Sequence, residues 1–295
     1  MTESHTPNMP EYFAGNYCIS FIDLLGQRDA FRGQGLLPTT NSGADGTAID
    51  RVLRDTIGPT LQLQQDVEAM VKSVSGNPDS PRRMSLTEEE RSVYDEMQLK
   101  RVKTQYWSDG FIRFACLGEK EIKCPLNGIT EIFQLSGYFC LLGLARRRPV
   151  RGAIDIAWGV ELPYSGLYGP VVANAYELES EVAQYPRIVV SQRVVEFLEA
   201  HRATTGADPF TRVNRNYAKI CLDMLVQDID GHWIVHYLGD AFQFSVTDTR
   251  HRFFYDKARA FVADQLEEHR KSLNSKLAIR YSQLLNYFDA HPAST

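Results

Sequence analysis

Two aspartates stand where an ionised carboxylate has to be explained. Asp23 closes the apolar run Tyr17-Cys-Ile-Ser-Phe-Ile-Asp23 and is followed by Leu24-Leu25-Gly26. A core does not hold a charge there freely; the carboxylate needs a cation, a dense set of hydrogen bonds, or water. Gly26 permits a tight turn in which successive backbone N–H groups point at one spot, which suits a phosphate. Asp109 stands in Ser108-Asp109-Gly110, the tip of a short predicted hairpin, where a side chain is presented beside the end of a neighbouring strand. Two carboxylates meeting at adjacent strand ends form a hard, oxygen-rich site for Mg²⁺ or Mn²⁺, completed by triphosphate oxygens. Each also has a plainer reading. Asp-Gly is a common turn pair, and Asp23 could simply cap a following helix. Only together, in the right order of elements, do they carry chemistry.

The elements that must position them follow from periodicity and punctuation. Residues 1–11 are polar and Pro-bearing, a disordered lead-in. Tyr17 to Asp23 predicts a strand inside a sheet, and Gln27 to Arg32 a helix start. Ile49 to Val74 has helical spacing, with Gly58-Pro59 as a break or kink. Ser85 followed by Glu88 offers a capping box for a charged helix to about Lys100. Val102–Trp107 and Phe111–Leu117 form the hairpin around Asp109. Then come a helix from Asn127 to Arg147, a strand from Val150 to Leu162, a loop from Pro163 to Gly169, and a helix from Pro170 to about Ala183. Arg187–Ser191 is strand-like and Gln192–His201 helical; Ile220–Gln227 and His232–Leu238 predict a second hairpin around Asp228-Ile-Asp-Gly231. Arg252 to Phe288 predicts two helices. Hairpins interrupt the strand–helix alternation. The order therefore favours an α+β fold, a mixed and mainly antiparallel sheet with helices packed on it. A main domain over 12–245 would carry a helical insertion at about 47–100, with C-terminal helices over 246–295.

Bulk properties narrow the partners. Hydrophobic residues make up 43% and charged residues 23% of 295, enough for one large core. A net charge of -5 argues against a generally basic nucleic-acid binder. The five cysteines are scattered, with no CxxC pair, so buried free thiols are expected in place of a zinc site or disulfide framework. The first residues lack a basic and apolar leader pattern, and Tyr138–Ala145 is too short to cross a bilayer; the expectation is a cytoplasmic protein without a membrane partner.

Phe21-Ile-Asp23-Leu-Leu-Gly26 and the later Ser108-Asp109-Gly110 hairpin resemble the metal-binding pair of class III adenylate and guanylate cyclases. Arg151-Gly-Ala-Ile154, Tyr168-Gly-Pro170, Ala173-Asn-Ala-Tyr-Glu-Leu-Glu179 and Tyr185-Pro-Arg-Ile-Val-Val-Ser191 continue the likeness. The set is most similar to the pyrimidine nucleotide cyclases of bacterial Pycsar antiphage systems, over roughly residues 15 to 240. The resemblance implies a ferredoxin-like sheet and a head-to-tail homodimer with sites at the interface. It implies two Mn²⁺ or Mg²⁺ ions held by Asp23, Leu24 and Asp109, and attack of the ribose 3′-hydroxyl on the α-phosphate of a nucleoside triphosphate. Phe21, Leu24, Leu25, Gly26 and Gln27 would contact substrate. The product would be a second messenger for a separately encoded cyclic-nucleotide-sensing effector.

The departures are specific. The Asn and Arg that the family places on the helix after Gly169 align with Ala173 and Glu177, and Asn174 is one residue out of register. The transition-state cation must come from elsewhere, with Arg28 and Arg151 the leading candidates beside Arg32 and Arg187. Gln105 stands where purine cyclases for ATP carry a Lys; a carboxamide offers both donor and acceptor to uracil or cytosine. UTP before CTP is the expected substrate. An adenylate or guanylate cyclase and a catalytically silent nucleotide-binding module remain the alternatives.

Overall fold

A computed structural model describes residues 12–26, 50–51, 53–54, 57–74, 81–84, 86–99, 102–107, 110–162, 166–246 and 251–293. The readings made above on residues 1–11, Gln27, Arg28, Arg32 and Asp109 fall outside them.

Strand β1 (Phe13–Leu24) is the keystone. Its β-branched and aromatic residues alternate between two faces, as a strand buried on both sides requires. Cys18, Ile22 and Leu24 enter the main core, whereas Tyr17, Ile19 and Phe21 enter a second cluster on the opposite face. Strands β2 (Val102–Trp107), β3 (Gly110–Cys116), β4 (Val150–Leu162), β6 (Ile188–Val190), β7 (Leu225–Gln227) and β8 (Trp233–Val235) complete a sheet in the order β2-β3-β1-β4-β6-β8-β7. The short β5 (Gly166–Tyr168) pairs with β4, within the stretch the sequence reads as loop. Every pairing is antiparallel except β4 with β6. The molecule is thus an α+β fold with a mixed sheet.

Helix α4 (Leu126–Ala145) underlies one face of that sheet. It is long and apolar enough to span a membrane, yet 83% of its most apolar window is buried inside the fold. Ser136 on α4 meets Ser20 on β1 at 2.8 Å, so two hydroxyls inside the core satisfy each other. On the same face lie α1 (Ile57–Val74), α7 (Pro209–Asp223), α9 (His251–Lys271) and α10 (Ser275–Ala290). Buried Arg113 on β3 ties α1 down through Glu68 at 2.7 Å. Between α1 and β2 lie the single turn α2 (Pro81–Met84) and α3 (Glu88–Met97). The capping box of α3 is made by Thr87 and Glu90, two residues beyond the Ser85–Glu88 register expected. Helix α5 (Pro170–Glu177) and β5 cover part of the opposite face and run into a π-helical turn over Leu178–Val182. Helices α6 (Gln192–Arg202) and α8 (Asp240–Val246) follow β6 and β8 respectively. Helix α7 corrects the strand expected from Ile220: Asp208 caps it, Pro209 fits its first turn, and the chain becomes extended only at Leu225. All five cysteines are buried and free.

Two predictions arise from this packing. A Cβ at Gly152 would stand 2.3 Å from the Phe21 carbonyl oxygen, backbone that cannot swing aside. Gly152→Ala should therefore cost about 1–3 kcal/mol in urea unfolding, with an undiminished midpoint showing that β1 and β4 can separate there. The second concerns His236, packed on the ring of His291 and hydrogen-bonded through Nδ1 to the Tyr287 hydroxyl at 2.8 Å. Burial, and secondarily the His291 charge, push its pKa down to about 4, with Asp240 opposing. The unfolded chain takes up that proton near pH 6.5, so this contribution is whole above pH 6.5 and lost as pH falls towards 4. Between pH 7 and 4.5, wild type should lose on the order of 2 kcal/mol more stability than His236→Gln. Parallel losses would remove His236 as the cause.

Candidate functional site

Asp23 lies at the C-terminal end of β1, opposite Gly110 on β3 and Arg151 on β4. Residues directly opposite in an antiparallel ladder share a face. Asp23 and Arg151, with Phe21, Ile112 and Gln105 two positions inward, therefore all belong to the face that α5 only partly covers. Asp109 lies outside the described residues. The peptide chain nevertheless joins it directly to Gly110, the cross-strand partner of Asp23.

The charges at this strand end form a relay. The Arg151 Nη2 is 3.5 Å from Asp23 Oδ2, and its Nε is in ion-pair contact with Glu179 Oε1. Asp23 and Arg151 are each about a quarter exposed, whereas the Glu179 side chain is only 2% exposed. Glu179 comes from the π turn, where one extra residue per turn swings its carboxylate under β4. Sequence reasoning assigned Glu179 no role, and the run Glu177-Leu-Glu-Ser-Glu181 carries no signal distinguishing it from its exposed neighbours. Arg151, a leading candidate for the transition-state cation, thus already bridges two carboxylates, one of them a candidate metal ligand.

The turn after β1 answers part of the expectation. Gly26 adopts φ +90°, the left-handed conformation that glycine favours, and a Cβ there would meet no atom within 4 Å. Leu25, however, donates its N–H to the Pro149 carbonyl at 2.9 Å. That donor is engaged with the chain and does not point at a phosphate, so the cradle is narrower than the Leu24–Gln27 stretch suggests. The Phe21 side chain is also a core residue, buried and edge-on to the Tyr176 ring at 5.7 Å. Its ring seats the strand against α5.

Gln105 is half-buried on β2, and its Oε1 accepts the Leu167 N–H at 2.9 Å. A backbone donor fixes which way the carboxamide points. One lone pair of its acceptor is engaged, and the orientation leaves its NH₂ group as the donor for a ligand. Ala173 and Glu177 both stand exposed on α5, and neither side chain belongs to the Asp23 relay. Arg187 is buried and committed elsewhere, to Asp228 at 2.5 Å, Asp230 at 2.6 Å and the Val182 carbonyl at 2.8 Å. It clamps the β7–β8 turn, where Gly231 has φ +81°. Asp155, fully buried on β4, is satisfied by Arg193 at 2.6 Å and is a structural pair.

The donor chemistry matches a hard divalent cation in kind: Asp23 supplies a carboxylate at a strand end, with the Leu24 backbone beside it. No group of three or more metal-ligating side chains occurs among the described residues, so a metal would rely on Asp109 and on substrate oxygens. No family model, curated protein or solved structure matches the chain.

Proposed function

We propose that the chain is a pyrimidine nucleotide cyclase, converting UTP, and less readily CTP, to the 3′,5′-cyclic nucleotide and pyrophosphate. The pairing of Asp23 with Gly110 supports this reading, because Gly110 follows Asp109 in the chain and Asp23 is a quarter-exposed carboxylate at the strand end. The strand order supports it. The elements run β1, helices, β2, β3, α4, β4, and their strands lie β4-β1-β3-β2, all antiparallel, an order that supports the reading of a ferredoxin-like core.

Mn²⁺ or Mg²⁺ held by Asp23, the Leu24 backbone and Asp109 would make the ribose 3′-hydroxyl more acidic and neutralise the triphosphate. The protein's own contribution is position and charge. Nucleophile and electrophile belong to one molecule, so holding the ribose and α-phosphate in line provides much of the rate. Arg151, kept in place by Glu179, sets a guanidinium beside the reacting end of the substrate, where negative charge builds. Gln105 offers its NH₂ to a base carbonyl. Uracil presents a carbonyl at the position where cytosine presents an amino group, which favours UTP. A head-to-tail homodimer would complete the site, since the α5 positions that the family uses are Ala173 and Glu177 here. The more than half-exposed rings of Tyr168 and Tyr176 beside α5 give such a face apolar surface. The cyclic product would then signal to a separate effector in antiphage defence.

A second reading, a silent nucleotide-binding module, is favoured by the same Ala173 and Glu177 and by the guanidinium already resting on Asp23. Incubating purified protein with each ribonucleoside triphosphate and Mn²⁺ separates the two. A single cyclic pyrimidine supports the cyclase; a purine product replaces the base assignment; binding without turnover establishes the module. Gln105→Glu should lower kcat/KM for UTP at least tenfold relative to CTP, because a carboxylate cannot donate to the uracil carbonyl. An unchanged UTP-to-CTP ratio would remove Gln105 as the reader.

A further inference from the structure

Away from the Asp23 face of α5, the segment entering β6 and the last helix enclose a cleft of about 390 Å³. That volume falls within the roughly 300–1,000 Å³ of small-molecule sites. Three cations line it, Arg187, Lys276 and Arg280. Arg187 is matched by Asp228 and Asp230, as described above. Lys276 and Arg280 lie one turn apart on α10, on the same side of the helix, and both line the cleft. Neither has a hydrogen-bonded or acidic partner among the described residues. Arg280 is instead half-buried and faces another cation, so that burial and the charge of Arg151 both press its pKa downward. Glu181, exposed on the rim, is the other carboxylate on the walls; the charges around the cleft balance in number, and what it offers an anion is the pair Lys276 and Arg280.

We propose that this cleft binds a phosphorylated small molecule, its phosphate held between Arg280 and Lys276. A guanidinium matches phosphate oxygens in a two-point fork, and an ammonium one turn away supplies the second charge that a dianion requires. His232 stands on the same wall as a further donor. Tyr185 and Ile279, the latter 60% exposed, give the organic part of the ligand an apolar surface. A bound anion would also relieve the repulsion between Arg280 and Arg151. The site does not depend on the reaction proposed above, and its test involves no turnover.

The full chain, treated with EDTA, is titrated at low ionic strength with sodium pyrophosphate and, separately, with uridine monophosphate by isothermal calorimetry. Saturable binding of at least one probe is expected, tighter for the nucleotide if the organic part is recognised and equal if phosphate alone is. Arg280→Ala and Lys276→Ala should each weaken it at least tenfold, Arg280→Lys should restore part of the loss, and Asp23→Ala should retain binding. Unchanged thermal midpoints would show that the variants fold. Absence of binding by both probes, or affinity unaffected by both alanine variants, would overturn the proposal. So would loss of binding in Asp23→Ala, which would put the anion at the strand end.

Discussion

Asp23→Ala is expected to lower cyclic-nucleotide formation by about a thousandfold or more, the scale of several kcal/mol of transition-state stabilisation. The fold should survive. The Asp23–Arg151 contact is long and a quarter exposed, so its loss should cost within about 1 kcal/mol, and Arg151 keeps Glu179 as a partner. Product formation by chromatography and stability by urea titration separate the two effects on one sample. Asp109→Ala should match it, because both carboxylates serve one centre. Turnover within tenfold of wild type for either variant would eliminate the paired-aspartate site, whatever the other does.

Arg151→Met has the largest expected effect on stability. It removes the guanidinium from beside the Glu179 carboxylate, 2% exposed, and breaking a buried pair from one side costs about 3–5 kcal/mol. Adding Glu179→Leu should recover most of that loss, since the pair replaced as a unit leaves no buried charge. Urea unfolding of the single and double variants closes the cycle. A single variant within 1 kcal/mol of wild type would show that Glu179 is satisfied by other groups. The double variant also distinguishes support from catalysis. If Arg151 only positions the π turn, activity returns with stability; if it meets the phosphate, activity stays low in a stable protein.

The strands that build this site were legible because their apolar runs are long. β1 and β4 were readable from Tyr17–Asp23 and Val150–Leu162, and the helix after Asn127 from its high apolar content. Helix α7 was missed although its signal is present. Phe210, Val213, Tyr217 and Cys221 recur at helical spacing, but Arg and Asn residues between them dilute the run, and the apolar stretch from Ile220 reads as a strand. The capping register was ambiguous for a plainer reason: Ser85-Leu-Thr-Glu-Glu-Glu90 satisfies the same pattern twice, and backbone geometry selects Thr87. At the site, Asp23 was readable as an unexplained charge. That it meets Arg151 was not, because cross-strand pairing over 128 positions leaves no trace in spacing. Glu179 was beyond reach for a different reason. Its direction depends on a π turn, and a helix that widens by one residue reads in sequence like any other.

The central place of β1 in the sheet carries a consequence for synthesis on the ribosome. Both of its neighbours are encoded far downstream, with Tyr17 opposite Cys116 and Asp23 opposite Arg151. At roughly 5–20 residues per second, the nascent Tyr17–Leu24 segment waits roughly 6 to 26 s for its β4 partner to emerge. During that interval a strand made to be covered on both sides and both edges is open to other chains. Yield in the cell should therefore respond to translation speed and holdase chaperones more than native stability would suggest.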